Sequence, residues 1–370
     1  MTPTPPRHVD HPLETASLGP PGVALILSGA SRPSAARPVA EEERADAAVV
    51  ARAEARGELV RLRAGVHARR AEWEVVSARE RHLLRIRALA RVSSEPIVLG
   101  GPSAAAVHGL PRLAPWPALV TLLDVPGLPS GRPAGTRVLR DPAQGRSRLV
   151  LAADGVRMPG LAATALAASH EAAMAAVRGA APRGPGWFAH GLVALDHALA
   201  PARASPVARA DLERERGIRG PGPWSRRAEL LVRAADGAAS CPLESVARGV
   251  AHEVGLAPPA VGAAVVGHGR LALAWTAERV GLRIAGTVPA GRVAPATDAD
   301  TRSVDQREGG RWRVLVAGEG DVLGAGRLRA LLLHAGLEPV RRAAHARPGA
   351  LPDPGDGRSR RSPPLGCAGE

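Results

Sequence analysis

The chain of 370 residues contains no lysine and no tyrosine, a single phenylalanine and two cysteines. Each absence excludes something. Cys241 and Cys367 lie far apart, so neither a disulfide framework nor a cysteine metal cluster is available, and a reducing cytoplasm fits best. No apolar run approaches the roughly 20 residues that a membrane helix needs. The run from Val23 to Leu27 is too short for a signal core and lacks a basic lead-in, so no export signal is read. A soluble, cytoplasmic protein with no membrane partner is expected.

Hydrophobic residues make up 45% of the chain, and much of that is alanine and valine. Leucine, valine and six tryptophans must supply the bulk of thin cores, enough for two or three small domains. All 49 basic residues are arginine, and the formal net charge is +14. A very GC-rich genome produces the same arginine excess without any functional cause. The charge still raises salt-dependent affinity for phosphate polymers, without saying which polymer.

Residues 1–40 are rich in Pro, Ser, Gly and Ala without sustained periodicity, which predicts a disordered arm. Residues 339–370 place Arg341, Arg342, Arg347, Arg358, Arg360 and Arg361 among Pro and Gly, a basic disordered tail. Between them lie three segments. In the first, 41–91, Glu41, Glu42 and Glu43 suit the first turn of a helix running to Arg56 and stopping at Gly57. Val60 and Leu62 alternate with Arg61 and Arg63 as in a half-buried strand, and Ala64-Gly65 offers a turn. Ser77 and Glu80 form a capping box for a helix through Arg91. Helix, basic ribbon and helix are compatible with a winged helix-turn-helix. From Arg56 to Arg91 there are 10 Arg against 4 acidic residues, a local net of +6. A solvated basic face would give the same count.

The second segment, 92–236, offers short strands at 96–99, 119–124, 136–139, 148–151 and 155–158, a small helix from Ser103 to Gly109, and alanine-rich helices near 161–179 and 188–199. His108, Asp196 and His197 invite a metal or catalytic reading, but their spacing matches no ligand set, and helix-end or packing roles are simpler. In the third, 237–338, a helix from Pro242 toward Val254 precedes strands at 261–266, 270–275 and 280–286, weak helical signal at 301–308, a strand at 312–316 and a helix over 323–335. This is the order of an α/β sandwich, and the whole chain reads as mixed α/β.

Four segments in order carry a resemblance: Leu59-Val60-Arg61-Leu62-Arg63-Ala64-Gly65-Val66, Ser103-Ala104-Ala105-Ala106-Val107-His108-Gly109-Leu110-Pro111, Val193-Ala194-Leu195-Asp196-His197-Ala198-Leu199 and Leu243-Glu244-Ser245. Over about 41–338 the chain resembles actinobacterial proteins labelled AbiEi-type antitoxins. The resemblance implies a winged-helix DNA-binding region at 41–91, a central α+β antitoxin-like region at 92–236, and at 237–338 a domain similar to very-short-patch-repair endonucleases of the PD-(D/E)xK class. It further implies a DNA-binding repressor of a toxin–antitoxin operon, with a cognate toxin as a possible partner.

A nuclease of that class needs carboxylates converging on Mg²⁺, which activates water and neutralises developing charge. Carried over by position, the helix acid survives as Glu244. The strand acid falls on Ala272, the paired acids of the next strand fall on Arg283 and Ala285, and the basic position cannot be lysine. The Gln expected at the second strand reads Gly262. Glu278, Asp298, Asp300 and Asp305 are the nearby acids from which a migrated site would have to be built. The expectation is therefore a degenerate, inactive nuclease domain without a cofactor, Mg²⁺ entering only if a migrated site exists. DNA contact is expected from Arg52, Arg56, Arg61, Arg63, Arg69 and Arg70. The alternatives are an active metal-dependent endonuclease and a drifting paralogue with neither activity; Gly309-Gly310, and Ala167 where the family has Asp, favour the latter.

Overall fold

A computed structural model describes residues 23–28, 42–94, 96–125, 133–141, 147–152, 155–179, 185–285, 312–324 and 326–340. The weak helical signal at 301–308, the acids Asp298, Asp300 and Asp305, Gly309-Gly310, and the tail arginines fall outside them, as does Cys367.

The first sheet has four strands in the order β2-β1-β4-β3, built from β1 (Leu25–Ser28), β2 (Glu42–Ala45), β3 (Leu59–Arg63) and β4 (Val66–Arg69). Two expectations are corrected here. Leu25–Ser28 is not part of a structureless arm: it lies inside the sheet, parallel to β2 and antiparallel to β4. Val23, Leu25 and Leu27 are buried with Val66, Leu84 and Ala88, and that burial fixes the short apolar run in place. Glu42 and Glu43 do not open a helix, because pairing with β1 holds 42–45 extended. Helix α1 (Ala47–Ala55) starts instead after Asp46, whose carboxylate accepts the Ala48 amide at 2.7 Å. Gly57 follows the helix with φ +74, as the stop signal predicted.

β3 and β4 form the expected ribbon, joined through Gly65 at φ +75. A register shift between Arg61 and Arg63 breaks the simple alternation, leaving Arg61 exposed but Arg63 half-buried. A short helix α2 (Arg70–Val75) leads into α3 (Ala78–Val92), which begins on the predicted Ser77–Glu80 capping box. Helix α3 buries Leu84 and Ala88 under the sheet and Leu83, Ile86 and Leu89 in the next core, so it is shared between the first segment and the second.

The second segment contains α4 (Gly101–Val107), the parallel pair β5 (Val120–Leu123) and β6 (Thr136–Leu139), and the antiparallel pair β7 (Leu149–Leu151) and β8 (Arg157–Pro159). The strand expected at 96–99 is reduced to single bridges at Val98 and Leu99. Four helices follow: α5 (Leu161–Val177), α6 (Trp187–Leu199), α7 (Arg209–Arg219) and α8 (Ser225–Ala234).

Helix α9 (Pro242–Val254) opens the third segment with proline in its first turn and ends on Gly255 at φ +85. The strands expected at 261–266 and 270–275 are broken into β9 (Ala260–Val261), β10 (Ala264–Val265), β11 (Gly269–Arg270) and β12 (Leu273–Trp275). Gly262, Gly267 and Gly269 all have positive φ, between +65 and +80, and each turns the chain out of an extended path. With β13 (Val280–Ile284) and β14 (Arg313–Ala317) the main sheet runs β14-β13-β12-β9, its β13–β14 pair parallel. Helices α10 (Glu319–Leu323) and α11 (Arg327–His334) join α9 against the sheet. Val246, Val250, Leu273, Trp275, Leu282, Ile284 and Leu332 form that core, to which α6 adds Ala189 and Val193. The architecture is mixed helix and strand with several small sheets. No described helix is long and apolar enough to cross a membrane.

Candidate functional site

The six arginines expected to contact DNA occupy different situations. Arg61, at the exposed edge of β3 opposite His67, has no guanidinium partner among the described residues. Arg52 is exposed and touches only its own helix, donating from Nε to the Ala48 carbonyl at 3.2 Å. Arg56 is tied to Glu58 by two hydrogen bonds of 2.6 and 3.0 Å. Arg69 pairs with Glu72 at 3.4 Å. Arg70 donates to the Gly57 carbonyl at 2.5 Å and lies 3.5 Å from Glu74. Arg63 is half-buried, and that burial lowers its pKa. Thus Arg52 and Arg61 present charge outward, while the other four are partly neutralised or withdrawn. The remaining charge of this region is largely structural. Arg81 donates to the Trp73 and Glu74 carbonyls at 2.9 and 2.8 Å, satisfying the end of α2, and Arg85 lies 4.9 Å over the Trp73 ring.

The positions matched to nuclease acids lie on α9, on β13 and at the ends of the main sheet's strands. Glu244, in the first turn of α9, is fully buried. Its Oε1 accepts from the Ser240 hydroxyl at 2.8 Å and from Arg270 at 2.6 Å. Its Oε2 accepts from the Ser240 amide at 2.8 Å and from Arg270 at 2.8 Å. Burial works to raise this carboxyl's pKa, but the Arg270 and Ser240 donors outweigh it and hold the group below its ordinary value. A carboxylate with two donors on each oxygen and a guanidinium in front of it is a poor ligand for Mg²⁺. Ala272 is packed into the core. Arg283 donates to the His268 carbonyl at 2.7 Å, and Ala285, just past β13, pairs through its backbone with Ala317. Glu278 stands in the turn between β12 and β13, apart from these positions. Among the described residues no group of three His, Cys, Asp or Glu side chains converges as a metal site.

Arg270 was missed in the sequence. It lies 26 residues from Glu244, and nothing local marks it as that residue's partner.

His108, Asp196 and His197 are not brought together as a ligand set. His108 is buried and pairs its Nε2 with the Pro159 carbonyl at 2.8 Å. Desolvation lowers its pKa to about 4. Asp196 is fully buried on α6, where Arg248 donates to both its oxygens at 2.6 Å and the Asp236 amide donates at 2.8 Å. Burial pushes this carboxyl up, and Arg248 opposes it. His197 is half-buried, and burial lowers its pKa.

A pair not anticipated from the sequence is His82 with Ser103. His82 Nδ1 lies 2.9 Å from the Pro117 carbonyl and its Nε2 lies 2.9 Å from Ser103 Oγ. A carbonyl only accepts, so Nδ1 carries the proton and the Ser103 hydroxyl donates to Nε2. Ser103 Oγ in turn accepts the Thr121 amide at 2.8 Å. The order hydroxyl, imidazole, acceptor is that of an activated nucleophile. Both side chains are completely buried, however, so the pair serves to satisfy a core and offers no access to a substrate.

The chain matches no protein-family model, and comparison with curated proteins and with solved structures gives no match.

Proposed function

We propose that this protein is a DNA-binding regulator of the antitoxin type, with a winged-helix-like N-terminal region and a nuclease-like C-terminal domain that does not catalyse hydrolysis. The observation that carries the second half is the saturation of Glu244 by Ser240 and Arg270, with Ala272, Arg283 and Ala285 at the other acid positions. The first half is supported by Arg52 and Arg61, whose charge is turned to solvent, within a chain of net charge +14. These arginines serve phosphate contact, which positions a protein on a duplex without reading its sequence. A partner toxin belongs to the same proposal and would be sought in the product of the neighbouring gene.

The test is fluorescence anisotropy of a duplex taken from upstream of the gene, titrated across a range of salt. Arg52→Ala/Arg61→Ala is expected to weaken binding and to reduce the salt slope by up to about 1.8, for two phosphate contacts. Unchanged affinity and slope would remove the ribbon from the reading. Supercoiled plasmid with Mg²⁺ or Mn²⁺ should stay intact, and nicking abolished by Glu244→Ala would overturn the non-catalytic assignment.

A further inference from the structure

Aromatic side chains are scarce in this chain, yet two of its six tryptophans meet at one corner of the helical segment. The His170 ring on α5 stacks on Trp224 with centroids 4.4 Å apart and planes 15° from parallel. Trp224 meets Trp187, the first residue of α6, edge-on at 6.5 Å. The Arg227 guanidinium lies 5.4 Å over the Trp187 ring, and its N–H groups have no acceptor among the described residues. The side chains of Arg178, at the end of α5, and Arg226 are exposed and likewise without an acceptor there. Arg219 pairs with Asp141 at 3.0 Å, and Glu253 accepts the Gly186 and Phe188 amides on either side of Trp187, so both acids are already engaged. Burial lowers the His170 pKa, and Arg219, Arg178 and Arg227 lower it further while Asp141 opposes them.

Three further features lie at the same corner. Helix α8 begins just after Trp224, with no side-chain cap and no acidic residue in its first turn, so no carboxylate of that turn offsets its N-terminal dipole. The loop before it has Gly220 and Gly222, beside which nothing packs within 4 Å of an added Cβ. The indole N–H of Trp224 is buried without an acceptor among the described residues, a donor that a structure rarely leaves idle.

We propose that this corner binds a nucleobase carrying phosphate. The base would lie against the Trp187–Arg227 stack, and the phosphate would meet Arg178, Arg227 and the first turn of α8. Flat rings beside free guanidinium groups are the chemistry that holds unpaired nucleotides. None of these residues belongs to the ribbon of β3 and β4, so the inference stands apart from the regulator reading.

The test follows intrinsic tryptophan fluorescence of the full chain titrated with a single-stranded oligodeoxynucleotide, a nucleoside monophosphate and inorganic pyrophosphate. Base stacking is expected to quench the signal. Arg178→Gln/Arg227→Gln should weaken binding about ten-fold and reduce the salt slope for the single strand by about 1.4, for two neutralised phosphates. Trp187→Leu should weaken the nucleotide ligands about ten-fold and leave pyrophosphate unchanged. Arg61→Ala should leave this binding intact. A monophosphate that binds as tightly as the oligonucleotide assigns the site to free nucleotides, and binding of the oligonucleotide alone assigns it to a strand; either supports the shared chemistry. Wild-type affinity in the folded double variant, pyrophosphate binding as tight as that of the nucleotides, or no binding by any ligand would overturn it.

Discussion

Helices α6 and α9 cross so closely that one hydrogen atom decides the seam between the helical segment and the main sheet. A Cβ added at Gly249 would lie 2.2 Å from the Ala189 Cα, 2.6 Å from its Cβ and 3.0 Å from its amide nitrogen. These are backbone neighbours, so relief requires the helices to separate by more than about 1 Å to reach ordinary contact near 3.5 Å. Such a shift stretches the Arg248–Asp196 bonds, now 2.6 Å, and the bonds that the Gly186, Phe188 and Ala189 amides donate to Glu253, now 2.9 to 3.1 Å. Overpacking costs about 1–3 kcal/mol, and weakening a buried charge-assisted bond adds about 1–2 kcal/mol. Alanine's better helix propensity returns only about 1 kcal/mol. The net expectation for Gly249→Ala is a loss of about 2–3 kcal/mol, read as a lower denaturant midpoint. Gly217 in α7 is the control, because nothing lies within 4 Å of its added Cβ. There the propensity term acts alone, and Gly217→Ala should stabilise by up to about 1 kcal/mol. Equal gains at both positions would refute the close crossing.

Arg270→Ala would leave the buried Glu244 carboxylate with Ser240 alone; because Arg270 is itself 43% exposed, the loss should be about 2 kcal/mol, below the 3–5 of a fully buried pair. Removing that donor should also let burial raise the Glu244 pKa, followed by carboxyl carbon NMR. His82 and His108 each fall from 6.5 to about 4 on burial, so unfolded chains take up protons first as pH drops; stability is full above about 6.5 and should decline toward pH 4 by about 3 kcal/mol per histidine. Glu244 has the depressed carboxylate's sign and adds its loss below its ordinary 4.5. Denaturant midpoints measured between pH 7.5 and roughly 3.5 check this, and a flat profile contradicts neutral buried histidines. Arg279 holds φ +54 in the turn between β12 and β13, so Arg279→Gly should raise the melting temperature, about 1–2 kcal/mol of relieved strain exceeding the roughly 0.5–1 kcal/mol entropy cost of glycine.

What could be read from the sequence was local. The Ser77–Glu80 box, the stop at Gly57 and proline in the first turn of α9 are each completed within a few residues, and each stands where it was read. What could not be read depends on distant pairing. Glu42–Ala45 carries helix-start composition but is extended because β1 runs beside it. Helix α7 went unread because only Leu212 of its 11 residues is buried, which leaves no apolar stripe. Helix α8 did carry a stripe, in Ala228, Leu231 and Val232. Glu244 was legible in the sequence as a first-turn carboxylate of α9, while its partner Arg270 required the fold.

That partnership belongs to a wider use of arginine in a chain without lysine. Arg209 donates to the carbonyls of Val232, Arg233 and Ala235 at the end of α8, and Arg248 reaches Ala234 there as well. Arg79 donates twice to Ala106 near the end of α4, and Arg203 donates to His108 just beyond it. A guanidinium fork suits this task because it spans adjacent carbonyls left open by the last helical turn, and its charge favours the negative end of the dipole. Several of the arginines therefore act as helix caps whose donors already point inward. The net charge of +14 counts them equally with Arg61 or Arg178. Long-range attraction to phosphate follows the total, but counterion release on contact follows only the guanidinium groups that can reach the polymer. A functional surface on this protein is therefore better sought where a guanidinium lacks a carbonyl or carboxylate than where arginines are merely dense.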